Sequence, residues 1–288
     1  MKLLTTSGEL SFLDQLRPDP VVLVPTMGAL HNGHMALVKE AEKYGKVVVS
    51  IFVNPTQFAP NEDFESYPRT LESDLDLLSE FDVAAVFCPP LSEMYADGVV
   101  TSVIPGGRAD CLCGAGRPDH YSGVLTVVAK LFNMTKADYA IFGRKDAQQC
   151  LVIDQMVSDL KMPIKLIDIP TVRETGGLAM SSRNRYLDKE QQTRAQSIFS
   201  SLQKAKSMLE SGCRSTKEIE EAVVIELAAC DSIEYAEVLS VPELEKNEII
   251  EGRCLLAVAV KVGSARLIDN ISLLVENGKI SEIPLLGV

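Results

Sequence analysis

Val21-Val22-Leu23-Val24-Pro25-Thr26-Met27-Gly28-Ala29-Leu30-His31-Asn32-Gly33-His34 is the stretch that decides how this 288-residue chain folds. Its first half is an unbroken β-branched and apolar run, the pattern of a strand buried on both faces. Its second half is a glycine-punctuated turn opening into a helical pattern that reaches Tyr44. The same alternation recurs downstream. Strand-like runs at 47–53, 83–88, 138–143 and 164–169 are separated by helical patterns near 70–80, over 122–133 and up to about Asp159. Continuous apolar strands alternating with helices predict a doubly wound α/β domain with a parallel sheet covered on both faces.

The texture changes after about Thr171. Asp188 with Gln191 reads as a capping arrangement opening a polar helix that Ser211-Gly212 ends, and a second helix spans 215–229. Strands are predicted over 234–241, 254–262 and 265–274, with Gly263-Ser264 as a tight turn between the last two. Helices followed by an antiparallel sheet describe a smaller α+β domain, with a boundary near 171–175.

Composition narrows the function. The chain is 46% hydrophobic and 24% charged, with net charge −12, so it reads as an ordinary globular protein and not as a polyanion binder. Residues 140–187 nevertheless hold seven Lys/Arg against five Asp/Glu, a basic island suited to a small anionic ligand. No apolar run approaches the ~18 residues of a membrane span, and no signal-peptide pattern follows Met1, so a cytoplasmic location is expected. The seven scattered cysteines read as reduced thiols acting as small core fillers.

Four loops carry the chemistry. In an open parallel sheet, ligands bind where strand C-termini meet helix N-termini, whose free N–H groups and dipole suit phosphate. Gly28 and Gly33 let backbone approach closely there, while His31 and His34, three apart, can point the same way and donate to phosphate oxygens. A zinc pair is disfavoured, because His120 is the remaining histidine and the H-E-x-x-H glutamate is missing. At the fourth strand, Lys145 is placed to neutralise phosphate, Asp146 to engage a ribose hydroxyl or a metal, and Gln149 lies one turn on. Ser181, Ser182 and Arg183, behind Gly176-Gly177, can close over a triphosphate as a lid. After the second strand, Asn54 and Gln57 offer amides to a hydroxylated carboxylate, and Arg117 a second anion clamp.

H-x-G-H after a first strand resembles the adenylate-forming nucleotidyltransferase superfamily. The ordered set P-T-M-G-A-L-H-N-G-H, F-V-N-P-T-Q-F, Y-P-R-T, F-G-R-K-D-A-Q-Q and M-S-S-R-N-R-Y-L is similar, over essentially the whole chain, to the pantoate–β-alanine ligase (pantothenate synthetase) family. The resemblance implies a Rossmann-like nucleotide- and pantoate-binding domain over 1–171 and a lid domain over 172–288. It implies a two-step reaction, in which pantoate attacks the α-phosphate of MgATP to give pantoyl adenylate, and β-alanine then releases AMP. ATP contacts carry over to Met27, Gly28, Ala29, Leu30, His31, Asn32, Gly33, His34, Gly143, Arg144, Lys145, Asp146, Val172, Met180, Ser181, Ser182 and Arg183. Acyl contacts carry over to Gln57 and Gln149. His34 matches the position usually assigned as proton donor; with His31, Lys145, Arg183, Ser181 and Ser182 it makes up the expected catalytic set. Magnesium is implied, with Asp74 as its expected protein ligand. So is a homodimer whose partners are small molecules, without nucleic acid or membrane. The chain departs from the family pattern at Arg144, usually Glu, at Asp119, usually Gly, and at Thr56, usually Met.

Overall fold

The computed structural model describes residues 1–60, 62–96 and 101–287. The chain runs through β1 (Lys2–Leu4), β2 (Val21–Thr26), α1 (Asn32–Ala41), β3 (Lys46–Ile51), α2 (Leu71–Leu78) and β4 (Val83–Phe87). The four-residue α3 (Leu91–Met94) and α4 (Leu112–Ala115) precede α5 (His120–Thr135), β5 (Tyr139–Gly143), α6 (Ala147–Asp159) and β6 (Lys165–Ile169). These six strands form one parallel sheet in the order β1-β4-β3-β2-β5-β6. The chain winds outward from β2 to β3 and β4 on one side, then returns to lay β5 and β6 on the other. The order therefore reverses between β2 and β5, which leaves a crevice at their carboxyl ends.

Both faces of this sheet are covered, which is why its strands read as unbroken apolar runs. Val22, Val24, Val47 and Val49 pack with α1 and α2 through Leu37, Val38 and Leu78. Leu23, Val48, Ala85 and Phe142 pack the other way, against α5 and α6.

Beyond β6 come α7 (Lys189–Glu210), α8 (Thr216–Glu226), β7 (Ser232–Ser240), β8 (Gly252–Val262), β9 (Ala265–Glu276) and β10 (Lys279–Glu282). Asp188 caps α7 as expected, in a reciprocal box with Gln191. The four strands form an antiparallel sheet in the order β10-β9-β8-β7, and Gly263-Ser264 joins β8 to β9. This sheet is also sandwiched. Along β8, Cys254, Leu256, Val258 and Val260 pack on α7 and α8, while Leu255 and Ala257 enter the core shared with α5 and α6. The C-terminal Leu285 and Leu286 join that same core, so the two halves are tied at both ends.

Two strands escape the sequence reading, β1 and β10. Among the described residues no helix is long and apolar enough to cross a membrane. All seven cysteines are free, with Cys113, Cys150 and Cys254 buried.

Candidate active site

A cleft of about 300 Å³ opens at the β2/β5 switch point, walled by both halves of the chain. The turn after β2 supplies His31 as the N-cap of α1 and His34 as its third residue. The two rings cap reciprocally. Gly33 N–H donates to Nδ1 of His31 at 3.1 Å, and His31 N–H donates to Nδ1 of His34 at 3.3 Å. A backbone amide can only donate, so each Nδ1 must accept, and this assigns the proton of both neutral rings to Nε2. Burial chiefly, then the charge of Lys145, lowers His31 to about 4. Burial, then His31 and Lys145, lowers His34 to about 3. Both rings are therefore neutral Nε2–H donors at physiological pH, tilted by 42° to each other with centroids 4.1 Å apart. Gly33 is required by this packing, since a Cβ there would lie 2.8 Å from the His31 ring.

Along the rest of that turn Met27 and Gly33 line the cleft, whereas Gly28, Ala29, Leu30 and Asn32, also expected as ATP contacts, are not among its lining residues. Gly28 and Ala29 adopt φ of 81° and 50°, a left-handed pair that needs an anchor. Asp74 provides it: buried at the start of α2, its carboxylate accepts from Ala29 N–H at 3.0 Å, Leu30 N–H at 2.8 Å and the Thr70 hydroxyl. Gly28 N–H donates to Thr26 Oγ1. The amides of Gly28, Ala29 and Leu30 are thus spent internally, and Asn32 is exposed at the first position of α1 outside the cleft wall. Both oxygens of Asp74, the carboxylate expected as a magnesium ligand, are engaged here in holding the turn. No group of three or more His, Cys, Asp or Glu suited to a metal exists among the described residues.

At the end of β5, Gly143, Lys145, Asp146 and Gln149 line the opposite wall. Lys145 has only a loose 3.7 Å approach to Asp146, whose side chain is half exposed. The neighbouring Arg144 points elsewhere. Its guanidinium pairs at 2.5 Å with buried Asp168, which also accepts from Leu285 and Leu286 N–H. Asp168, paired with Arg144, thus fastens the C-terminal segment to β6, and Arg144 is not among the residues that line the cleft. Gln148 is likewise structural, accepting from Cys113 N–H and Tyr121 OH.

The acyl end is built by the turn after β3. Gln57 lines the cleft beside Met27, and its Oε1 accepts from Asn54 Nδ2 at 3.1 Å. Asn54 itself is buried, bonded also to Gly123 O, Thr56 and Tyr95, so it orients Gln57 and does not reach the cleft. Arg117 lines the wall but is paired with Glu62 at 2.5 Å, and a further N–H lies 3.1 Å from Nε2 of His120. His120 Nδ1 meets Gln57 O at 2.8 Å; burial first, then Arg117, lowers this ring to about 4. Val124, Val127 and Val128 of α5 give this end an apolar side.

The third wall is the hairpin closed by the Arg173–Ala179 bridge and by Met180 N–H donating to Val172 O. It brings Val172, Met180, Ser181, Ser182 and Arg183 to the cleft. Ser181 caps the following turn, and Arg183 reaches across to a two-pronged pair with Asp63 at 2.8 and 3.1 Å. Two residues of β9 that sequence reasoning passed over complete the wall. Asp269 holds Arg173 over the Phe199 ring, and Asn270 bonds the backbone around Lys145. The signal that could have found them is an Asp-Asn pair set between Leu267-Ile268 and Ile271 in a strand.

Residues 3–272 match the family model described as pantoate-beta-alanine ligase. A pantothenate synthetase of Pelotomaculum thermopropionicum is 51% identical over 250 residues, covering 86% of this chain and 89% of the relative. That of Moorella thermoacetica is 50% identical over 254 residues, covering 87% and 90%. The pantothenate synthetase structure from Thermus thermophilus superposes with a TM-score of 0.89 at 40% identity, covering 94% of this chain and 99% of that one. A Francisella tularensis pantoate-beta-alanine ligase, solved with beta-gamma ATP and beta-alanine, gives 0.76 at 34% identity over 94% and 97%. With the family model spanning nearly its whole length, the chain belongs to the pantoate-beta-alanine ligase family.

Proposed function

We propose that this ligase condenses pantoate with β-alanine in two steps through pantoyl adenylate, with the α-phosphate of ATP held against His31, His34 and Lys145. The observation that carries the reading is the reciprocal histidine cap facing Lys145. It presents two preorganised neutral N–H donors and one cation toward a common volume. Such donors act where charge develops, on the five-coordinate phosphorus, and need no reorganisation during the step.

In the first step a pantoate carboxylate oxygen bonds to the α-phosphorus, the bond to the bridging oxygen breaks, and pyrophosphate leaves. Pantoate is ionised near neutral pH, so no base is required. His31 and His34 then stabilise by donating hydrogen bonds from rings whose pKa values burial lowers to about 4 and 3. Gln57, locked by Asn54, and Gln149 orient pantoate against the apolar side of α5. In the second step the free amine nitrogen of β-alanine bonds to the acyl carbon and loses a proton to solvent, the acyl–oxygen bond breaks and AMP leaves. Ser181, Ser182 and Arg183 approach the phosphates from the hairpin. Residues 172–288 form the lid on the nucleotide- and pantoate-binding part, 1–171.

Magnesium fits as a partner of the phosphates and not as a resident ion. Asp146 is the half-exposed carboxylate beside Lys145, consistent with a cation held by one carboxylate, water and phosphate oxygens. When bound, it would offset the charge of the departing pyrophosphate. A homodimer and a cytoplasmic location complete the proposal.

The test uses pantoate labelled with ¹⁸O in its carboxylate. Pyrophosphate release that requires pantoate, with one label per turnover recovered in AMP once β-alanine is added, is the expected result. Label absent from AMP would rule out the adenylate. His34→Ala and Lys145→Ala are each expected to slow turnover by roughly 10²–10³-fold, the scale of removing one preorganised donor.

A further inference from the structure

We propose that Asn270, on β9 of the second sheet, is a positioning residue for Lys145; the proposal rests on Lys145 acting at the phosphates. The side chain is buried, 6% exposed, and forms part of the cleft wall. Its Nδ2 donates to two successive carbonyls, Arg144 O at 3.0 Å and Lys145 O at 2.8 Å. The opposite amide orientation would set Oδ1 against both carbonyl oxygens, so the assignment of the nitrogen is forced.

Two bonds from one planar group fix the direction of the peptides that carry Lys145. That matters because a lysine is a point charge on a four-carbon stem, and its backbone is the part the protein can hold still. The clamp comes from a rigid strand. Asn270 pairs with Ala257 of β8, whose side chain also faces the first half of the chain, while Asp269 beside it faces α7 and Arg173. Adjacent residues of one strand thus hold the Lys145 turn on one face and the base of the Ser181–Arg183 hairpin on the other.

Oδ1 of Asn270 is buried without a donor among the described residues, so the side chain's hydrogen bonds all run from its nitrogen to the two carbonyls around Lys145.

A double-mutant cycle on the full chain tests this, reading pyrophosphate release at saturating ATP and pantoate. Asn270→Ala is expected to lower kcat by roughly 10–100-fold, as a displacement near 1 Å does at reacting groups, with both KM values within about threefold. In the Lys145→Ala background the same change should cost less than about twofold, because the group it positions is gone. Asn270→Asp, similar in size but without donors, should be as slow as the alanine variant, and serves in its place if that variant does not fold. Equal losses in both backgrounds, or a wild-type rate in either Asn270 variant, would overturn the proposal. A Lys145→Ala enzyme of normal rate would instead overturn the reading of Lys145 on which it rests.

Discussion

Removing the Asp74 carboxylate separates the role expected of it from the sequence, metal ligand, from the role its hydrogen bonds give it, loop anchor. Its oxygens accept from Ala29 and Leu30 N–H at 3.0 and 2.8 Å, and both residues are almost wholly buried, at 1% and 6% exposure. Water therefore cannot replace the lost partners in Asp74→Ala. Two orphaned buried amides at about 1–3 kcal/mol each give a destabilisation of roughly 3–5 kcal/mol. At about 2 °C per kcal/mol for a chain of this length, Tm should drop by roughly 6–10 °C. Asp74→Asn keeps one acceptor and should lose about half as much. Turnover should fall in both variants, since the freed turn carries the His31–His34 cap. The magnesium concentration for half-maximal rate should stay within about twofold, because phosphates and Asp146 are the expected partners of the ion. Differential scanning fluorimetry and a magnesium titration of pyrophosphate release measure the two quantities on the same samples. An unchanged Tm with a tenfold or larger rise in magnesium requirement would refute the anchor and restore the metal ligand.

Arg144→Ala should lower stability by about 3 kcal/mol, the low end for breaking a buried pair. Its KM for ATP should stay within about twofold, and a selective rise in that KM at unchanged stability would return Arg144 to the nucleotide. Gln57→Ala should raise KM for pantoate about tenfold or more while leaving that for ATP within about threefold, the scale of losing a buried polar partner; equal effects would count against its placement at the acyl end. In the unfolded chain the histidines titrate near 6.5, whereas in the folded one His31 and His34 stay neutral to about 4 and 3. Between those limits the unfolded chain binds more protons, so their contribution is complete above about pH 6.5 and is lost as pH falls toward 4. Urea midpoints at pH 7, 6 and 5 should decline, with a shallower slope in His34→Gln. Parallel slopes in the two proteins would refute the assigned protonation.

Most of the fold was legible because the first sheet is covered on both faces, which makes β2 to β6 largely apolar runs separated by helical patterns. What was missed follows from the same rule. β1 is three residues long with Lys2 and Leu3 exposed, so only Leu4 carries a burial signal. β10 has one half-buried residue, Ile280, among three exposed ones. Each pairs along one edge only, where backbone hydrogen bonds and not side-chain burial define the strand. β8 is apolar without alternation over 254–260 although its sheet is antiparallel, and its two-sided packing explains why.

The site loops were legible by place, at the carboxyl ends of β2, β3 and β5, but the direction of individual side chains was not. Arg144 and Lys145 are adjacent and basic, yet one reaches Asp168 and the other the cleft. Asn54 and Gln57 carry the same amide, yet one is sealed beneath the other. What decides each case is a carboxylate or backbone group far away in sequence. Asp74 meets Leu30 across 44 positions, Asp168 meets Leu286 across 118, and Asp63 meets Arg183 across 120. Counting charges in the basic island therefore overstates the positive field in the cleft. Arg144 and Arg173 are each matched by a buried aspartate, and Arg183 by Asp63 at the mouth. Lys145 is left as the cleft-lining cation held only loosely, so under the proposed function uncharged N–H donors, the two Nε2–H groups among them, would share the phosphates with Lys145 and magnesium. An acidic protein can thus hold a triphosphate without a net positive surface, because fixed donors in a partly desolvated cleft act through geometry and not through total charge.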